Sequence, residues 1–458
     1  MELADLMRQT EGKTLEFKRD ASSAGPILRT VCAFANTAGG TLLIGIEDRT
    51  GDVLGVADPL DTEERLASII ADGIAPTLVP DIELIPWRDT RVIAVRVYPG
   101  PSRPYRVTSG SAQPGAYVRI GSTNRIADDV LAAELARGAR NEGFDEIPVP
   151  ELEQDALDLD AAREALDSVR ELRPRELKTL RLITEHQGRE VATTGAVLMF
   201  GRNRLDQFPD AWIQVGRFKG CDKTTVIDSA DLNEYPVRAI EHAIAFVTRN
   251  TSVAYEISGT RRLEVPEYPP VAVREAIVNA VVHADYSQRG APIRIAIFDD
   301  RIEITSPGIL VAGLTIADVL SGVSKLRNRV IGRVFREAGL IEQWGSGIQR
   351  MREACLTAGL GEPLIEEVAT TFRVTLFATR TGARPLDALD EATLSTLRDT
   401  DGLSTREIAE RINRTPRATR TRLQRLIEAG LVVEIGSAPN DPHRRYYVAE
   451  EPARYGRD

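Results

Sequence analysis

Residues 403–436 contain two short helical patterns separated by a turn, and a β-hairpin pattern follows them. Ser404 and Thr405 are residue types that begin helices, because their hydroxyl groups accept hydrogen bonds from unpaired backbone N–H groups. The first helix would bury Ile408, Ala409 and Ile412. Pro416 suits the first position of the second helix, where a backbone N–H has no partner within the helix. The sequence therefore predicts that residues 385–458 form a small unit of three helices and a hairpin.

The second helix of this unit has an apolar side and a basic side. Its predicted buried residues are Ala418, Leu423, Leu426 and Ile427. Its predicted outward residues are Arg417, Arg420, Gln424 and Arg425, and the hairpin adds Arg444 and Arg445. This is the winged helix-turn-helix pattern, in which a narrow helix brings donors and cations to the major groove of duplex DNA. The alternative is a protein-interaction module with a solvated basic face.

Charge is distributed unevenly along the chain. The net charge of −10 argues against a generally basic nucleic-acid-binding protein. Residues 404–447, however, contain nine arginines and five acidic residues, whereas residues 145–172 contain ten acidic and two basic residues. The sequence thus predicts an acidic linker at 145–172 and a basic C-terminal surface.

The length of 458 residues is too great for one core, which predicts several domains. Short apolar strand patterns alternate with helical patterns, so the predicted fold class is α+β. The expected units are residues 1–144, the linker 145–172, residues 173–380 and residues 385–458. The three cysteines are far apart and form no pair of metal ligands, which indicates a reducing cytoplasm and no structural zinc. No stretch approaches the roughly 18 apolar residues that a membrane span needs.

Three motifs near the N-terminus are specific: EGKTLEFKRD, FANTAGGTLLIGIEDRTGDVLGV and AYVRIGSTNRIA. They resemble the Schlafen/AlbA-like domain over about residues 1–140 and imply its α+β fold. The resemblance implies one of two functions. Bacterial members mostly occur in predicted transcriptional regulators, whereas the animal Schlafen proteins are metal-dependent endoribonucleases acting on transfer and ribosomal RNA.

The resemblance also implies which residues would be catalytic. Glu11, Glu16 and Asp48 match the carboxylates of the family motif, and Lys18 matches its lysine. Carboxylates on adjoining strands can hold Mg²⁺ or Mn²⁺, which activates water against a phosphodiester. Alternatively, these carboxylates form a surface ion pair with the lysine. Basic residues of the same domain would then contact phosphate without cleavage, and the candidates are Lys18, Arg19, Arg29, Arg119 and Arg125.

The middle region contains VREAIVNAVVHADY, followed by a hairpin pattern and, further on, by GSGI. It resembles the RecG-like C-terminal, GHKL-like segment of the same regulators, which implies an α/β sandwich and an ATP site. Glu275, Asn279 and His283 are four residues apart on one helix face, and Asn279 would ligate Mg²⁺. Gly345 and Gly347 would approach phosphate in a glycine-rich turn.

The middle region departs from the ATPase pattern at one position. The aspartate of the DxGxG box, which reads adenine in true ATPases, is expected at Ile304, so adenine recognition is predicted to be weak. The alternative is an amphipathic helix with satisfied polar residues and no nucleotide.

Taken together, the patterns favour a cytoplasmic, homo-oligomeric transcriptional regulator that binds duplex DNA, contacts no membrane and senses ATP. The alternative is a metal-dependent endoribonuclease of the Schlafen type acting on transfer RNA or another structured RNA.

Overall fold

The computed structural model describes residues 3–48, 50–108, 113–166, 172–258, 261–342, 345–378, 388–398, 400, 402–412, 414–428, 431–435 and 445–448. Of residues 253–258, 261–265, 388, 417, 421, 425, 428 and 435 it describes the backbone only. Within this part of the chain, no helix is long and apolar enough to cross a membrane.

The N-terminal domain has a sheet that is covered on both faces. Its elements are α1 (Leu3–Met7), β1 (Leu15–Lys18), α2 (Ala24–Asn36), β2 (Gly40–Ile44), α3 (Pro59–Gly73), β3 (Ile74–Ala75), β4 (Asp81–Trp87), β5 (Thr90–Val97), β6 (Arg106–Val107), β7 (Tyr117–Ile120), β8 (Thr123–Ile126) and α4 (Asp129–Ala139). The main sheet has the order β1-β2-β5-β4, with β1 and β2 parallel. Successive residues of a strand point to opposite faces. Leu42 and Ile44 accordingly pack with α2, while Leu43 packs with α1.

The link from α2 to β2 requires glycine. Gly39 has a φ of +79°, and a Cβ there would lie 2.7 Å from the carbonyl oxygen of Val97 on β5. No other residue fits such an approach at this φ without strain. The tight turn sets β2 directly between β1 and β5, and so places the end of β1, with Glu16 and Lys18, beside β2.

The middle domain is a six-stranded sheet covered by helices. Its elements are β9 (Pro148–Val149), α5 (Leu159–Ala165), α6 (Pro174–Thr179), β10 (Ile183–His186), β11 (Arg189–Thr193), α7 (Thr194–Phe200), α8 (Arg204–Gln207), β12 (Ile213–Phe218), β13 (Val226–Leu232), α9 (Pro236–Arg249), β14 (Val253–Ser258), β15 (Arg261–Pro266), α10 (Pro270–His283), β16 (Ile293–Ile297), β17 (Arg301–Pro307), α11 (Ile316–Leu320), α12 (Arg329–Glu337), α13 (Gly347–Thr357), β18 (Leu364–Val368) and β19 (Thr371–Phe377). The sheet order is β13-β12-β16-β17-β19-β18, and the predicted hairpin is the antiparallel pair β16–β17. Helix α10 packs on α9 and α13 and against β17.

The predicted acidic linker is wrong for its described residues, 145–166 and 172, because they are folded into the middle domain. Strand β9 pairs with β11, and Leu157, Ala162 and Leu166 are buried in the core that contains the six-stranded sheet. Acidic residues here occupy helix ends: Asp158 caps α5 by accepting a hydrogen bond from the N–H of Ala161. Their number therefore reflects capping and ion pairing rather than a solvated tether.

Asp145 makes a long-range contact within this segment. It is completely buried and accepts hydrogen bonds from the backbone N–H groups of Arg329 (3.0 Å), Val330 (2.6 Å) and Ile331 (3.0 Å). These are the first residues of α12, whose N–H groups have no partner within the helix. Burial raises the pKa of Asp145 to about 6, although the three N–H groups favour the ionised form. Asp145 thus caps a helix that begins 184 residues later in the chain.

The C-terminal unit has three helices and a two-stranded hairpin, as the sequence predicts. Its elements are α14 (Ala388–Arg398), α15 (Thr405–Arg411), α16 (Pro416–Glu428), β20 (Val432–Ile435) and β21 (Arg445–Val448). Ser404 caps α15 in a capping box with Glu407. On α16, Thr419 is buried and Ala418 is exposed, opposite to the prediction for Ala418, because the buried stripe runs through Thr419, Leu423 and Leu426.

Candidate nucleotide cleft and nucleic-acid interface

A cleft of about 140 Å³ opens in the middle domain between α10, the end of β17 and the start of α13. It is lined by residues predicted from separate motifs, namely Glu275, Asn279, His283, Gly345 and Gly347. Apolar residues of β17 and β19 form another part of the wall. The structure thus brings the α10 motif and the glycine-rich turn to one site, although some 60 residues separate them in the chain.

Glu275 is the centre of the contact between α10 and α13. Its Oε1 accepts a hydrogen bond from Nδ2 of Asn279 at 2.9 Å, and its Oε2 lies 3.6 Å from Nη2 of Arg350. A Cβ on Gly347 would lie 1.7 Å from the same Oε1. A side chain at 347 would therefore displace the Glu275 carboxylate, which holds the Asn279 amide in the cleft.

His283 is the last residue of α10 and lies near Arg327. Burial lowers its pKa to about 4, and the neighbouring Arg327 lowers it further in the same direction. The imidazole is therefore neutral at pH 7 and contributes a donor and an acceptor rather than a charge.

The structure revises the position expected for the missing aspartate of the DxGxG box. Ile304 is 1% exposed and lines the cleft, but the second residue after it is Ser306, whereas the box has glycine there. Ser306 is buried, lines the same cleft, and is followed two residues later by Gly308, which has a φ of +102°. The first three positions of the box therefore fit Ser306-Pro307-Gly308, with a hydroxyl group at the aspartate position, but the last glycine of the box would fall at Leu310.

Two cations in the cleft wall were missed by sequence reasoning. Lys325 and Arg327 line the cleft between α11 and α12. Arg327 is 8% exposed, donates to the carbonyl oxygen of Ile309 and pairs with Glu134 of the N-terminal domain. The sequence gives little indication that these two residues line a cleft. They lie in a short segment after Gly322 that resembles an ordinary solvated turn.

The carboxylates of the N-terminal motif are neutralised by cations. Oε1 of Glu16 lies 2.6 Å from Nζ of Lys18, and Oε2 lies 2.5 Å from Nη2 of Arg119. Asp48 approaches the same lysine at 3.5 Å. Glu11 instead accepts the backbone N–H of Phe17 at 2.7 Å and so holds the start of β1.

The predicted metal site of Glu11, Glu16 and Asp48 is therefore wrong as a three-ligand cluster. In the part of the chain that the structure describes, no three His, Cys, Asp or Glu side chains are grouped to hold a metal ion. Glu16, Lys18 and Asp48 do come together, but as an ion-pair chain with the lysine in the middle. This arrangement corresponds to the second interpretation of the motif.

Arg119 is not available to nucleic acid, and its predicted role as a phosphate contact is wrong. Its side chain has 0% exposure. Nε donates to the carbonyl oxygen of Gly12 at 2.9 Å, Nη1 to Oδ1 of Asn124 at 3.0 Å, and Nη2 to Leu15 and Glu16. The guanidinium group thus connects the loop before β1 to β7 and β8.

Three other arginines predicted as phosphate contacts in this domain are accessible: Arg19, Arg29 and the exposed Arg125. Arg19 is 68% exposed and lies 3.5 Å from Glu47, while Arg29 is half-buried on α2. Exposed ion pairs contribute little to stability, so Arg19 can exchange Glu47 for a phosphate at small cost.

Helix α16 presents a polar face to solvent. Arg420 and Gln424 are exposed on it, whereas Arg422 turns inward and pairs with the buried Asp390 of α14. Arg417 and Arg425 lie on the same helix, but their side chains are outside the described residues. The inward ion pair fixes the helix to the unit and leaves the opposite face for a partner.

The hairpin is only partly described. Arg445 is exposed but donates from Nη1 to the carbonyl oxygen of Gly402 at 2.7 Å, which ties β21 to the turn before α15. Arg444 lies outside the described residues. Arg445 therefore has a structural contact in addition to any role at DNA.

The fold defines a multidomain α+β protein with a winged helix-turn-helix unit in its C-terminal region, and the comparisons with known families agree. Residues 11–128 match the family described as "Schlafen, AlbA_2", and residues 386–433 match "Winged helix-turn-helix DNA-binding". Residues 290–376 match "Putative ATP-dependent DNA helicase recG C-terminal". The three predicted resemblances are confirmed: the chain contains a Schlafen/AlbA-type domain, a RecG C-terminal-type region and a winged helix-turn-helix.

Solved structures of similar proteins are distant in sequence. The DIP2311 protein from Corynebacterium diphtheriae is 23% identical, with a TM-score of 0.44, over 95% of this chain and 92% of that one. The N-terminal domain of a RecG-related protein from Nitrosomonas europaea is 27% identical, with a TM-score of 0.23, over 28% of this chain and 94% of that one. No curated protein is significantly similar to the chain.

Proposed function

We propose that this chain is a DNA-binding transcriptional regulator whose middle domain binds a nucleotide of the ATP type. The observation that carries the proposal is the orientation of α16. Its inward arginine is neutralised by Asp390, while Arg420 and Gln424 remain exposed on the other face. Arginine and glutamine are side chains that read guanine and adenine in the major groove.

The cleft supplies what a nucleotide needs. Its apolar residues suit a base, and the Glu275–Asn279 pair suits Mg²⁺ bound to phosphates. Gly345, with a φ of +65°, precedes the N-cap Ser346, and Gly347 begins the 11-residue helix α13, whose N-terminal N–H groups favour an anion. Bound Mg²⁺ would neutralise the phosphate charge, and the chain's own residues would orient the nucleotide.

Replacing Arg420 by alanine is expected to weaken binding to an operator duplex by about 1–3 kcal/mol, if this residue contacts a base directly. The operator can be selected from a random duplex library with the full-length protein. Fluorescence anisotropy at fixed salt measures the affinity for the operator and for an unrelated duplex. The affinity for the unrelated duplex should fall less.

The matched control is Arg65→Ala, which removes an exposed arginine from the N-terminal domain. Operator binding should be unchanged in this variant. Equal operator affinity for Arg420→Ala and wild type, at several salt concentrations, would exclude α16 as the reading helix.

Replacing Asn279 by alanine is expected to weaken MgATP binding at least tenfold, or about 1.4 kcal/mol, because the amide would no longer face the metal. Titration calorimetry with and without Mg²⁺ measures the effect, and an unchanged unfolding midpoint shows that the domain is intact. Asn250→Ala, which removes an asparagine at the end of α9, is the control. Undetectable MgATP binding by the wild type would reject the nucleotide part of the proposal.

The same calorimetry tests base preference. Ser306 supplies a hydroxyl group where true ATPases have a carboxylate, and a site without that strong acceptor discriminates less between bases. ATP and GTP should therefore bind with affinities within about tenfold of each other. A much stronger preference for ATP would mean that another residue reads adenine.

A further inference from the structure

A second cavity, of about 70 Å³, lies between the N-terminal and middle domains and adjoins the cleft. The two cavities share a wall of seven residues: Ile309, Leu310, Val311, Leu314, Lys325, Leu326 and Arg327. The cleft alone, at about 140 Å³, is smaller than the roughly 300 Å³ of ordinary ligand pockets. A nucleotide in the cleft therefore has to extend beyond it, and the interdomain cavity is the adjoining space.

The interdomain cavity is rich in cations. Five basic side chains line it, against three carboxylates: Lys13, Arg103, Lys325, Arg327 and Arg329 against Glu134, Glu142 and Asp285. Three of the five are neutralised by carboxylates, because Lys13 pairs with Glu367, Arg327 with Glu134 and Arg329 with Glu146.

Arg103 and Lys325 differ from the other three. Among the ion pairs of the described residues, neither has a carboxylate partner. Arg103 donates from Nη1 to the carbonyl oxygen of Gly100, while its buried Nε has no hydrogen-bond partner in the described residues. Within the described ranges, Lys325 donates only to the carbonyl oxygen of Ala312, at 3.3 Å.

The two cations belong to different domains but line the same cavity. Burial lowers the pKa of Lys325, and repulsion from Arg103 and Arg329 lowers it further. Two partly buried cations that have no carboxylate partner repel each other, which is unfavourable for the folded state. An anion bound between them would offset this repulsion.

We propose that Arg103 of the N-terminal domain and Lys325 of the middle domain bind the terminal phosphates of the nucleotide whose base occupies the cleft. The inference rests on the proposed nucleotide site and deepens it. Because one ligand would then contact both domains, the phosphate chain would stabilise the docking of the N-terminal domain on the wall at 309–327.

The test is calorimetry on the full-length protein with MgATP, adenosine and inorganic tripolyphosphate. Arg103→Ala and Lys325→Ala should each weaken MgATP binding at least tenfold and leave adenosine binding unchanged. Arg103→Lys keeps the charge and should recover part of the lost affinity, which a purely structural role would not predict. Arg91→Ala, an exposed arginine of the same domain that does not line the cavity, is the control.

The outcomes separate the two proposals. If MgATP binds equally well to the wild type and to Arg103→Ala, the interdomain phosphate site is wrong and the nucleotide cleft stands. If the wild type binds tripolyphosphate but neither MgATP nor adenosine, and Arg103→Ala abolishes this binding, the anion site stands and the nucleotide cleft fails.

Discussion

Replacing Arg119 by methionine is expected to lower the free energy of unfolding by about 3–5 kcal/mol, the usual cost of removing one partner of a buried ion pair. The Arg119 side chain is fully buried, and its partner Glu16 is 12% exposed. The variant would leave the Glu16 carboxylate with Lys18 alone and remove the Arg119 donor from the carbonyl oxygen of Gly12, while the carbonyl oxygen of Leu15 would keep only the N–H of Gly12. Urea unfolding of the full chain, followed through its first transition, measures the change.

Arg125→Met is the matched control for this prediction. Arg125 lies on the neighbouring strand β8 and is exposed, so its loss should change stability by no more than about 0.5 kcal/mol. A cost below about 1 kcal/mol for Arg119→Met would show that the buried network contributes no more than a surface ion pair.

Replacing Asp145 by alanine is expected to destabilise the protein by roughly 3 kcal/mol at pH 7.5, because three N–H groups at the start of α12 would lose their acceptor. Two of them, of Val330 and Ile331, bond the same oxygen, Oδ2, in a buried setting. The control is Asp128→Ala, an exposed N-cap that accepts one hydrogen bond, from the N–H of Leu131. It should cost about 1 kcal/mol.

The cost of Asp145→Ala should also depend on pH. Folding raises the pKa of Asp145 from 3.8 to about 6, so the folded state holds the proton more tightly than the unfolded state does. The stability that this group contributes is therefore greatest below pH 3.8 and declines as the pH rises through 6. Asp145→Ala should cost more at pH 4.5 than at pH 7.5. Equal costs at both values would contradict the raised pKa.

The C-terminal unit could be predicted almost completely from the sequence because its signals are local. A capping serine, a proline at the first helical position and an apolar stripe specify α15 and α16 without reference to the rest of the chain. The one error among the described residues of this unit, Ala418 in place of Thr419, is a shift of one position around the helix. Small apolar and small polar residues are equally compatible with that boundary.

The residues that were mispredicted depend on contacts between distant parts of the chain. An arginine such as Arg119 is normally expected at the surface. Only its contacts with Gly12 and Glu16, more than 100 residues earlier, show that it is buried. Asp145 was counted as one charge in an acidic run for the same reason. The proposed role of Lys325 depends on Arg103, a residue of the N-terminal domain that lines the same cavity.

The capping of α12 by Asp145 also determines where the chain could be divided by gene fusion or recombination. An exchange of N-terminal domains that breaks the chain at residue 172 would take away the cap of α12 and the β9 partner of β11. A break at residues 140–143, after α4, would keep both with the sheet that they support. The segment that must stay with the middle domain therefore begins before Asp145, at the start of the region that the charge pattern predicts to be a linker.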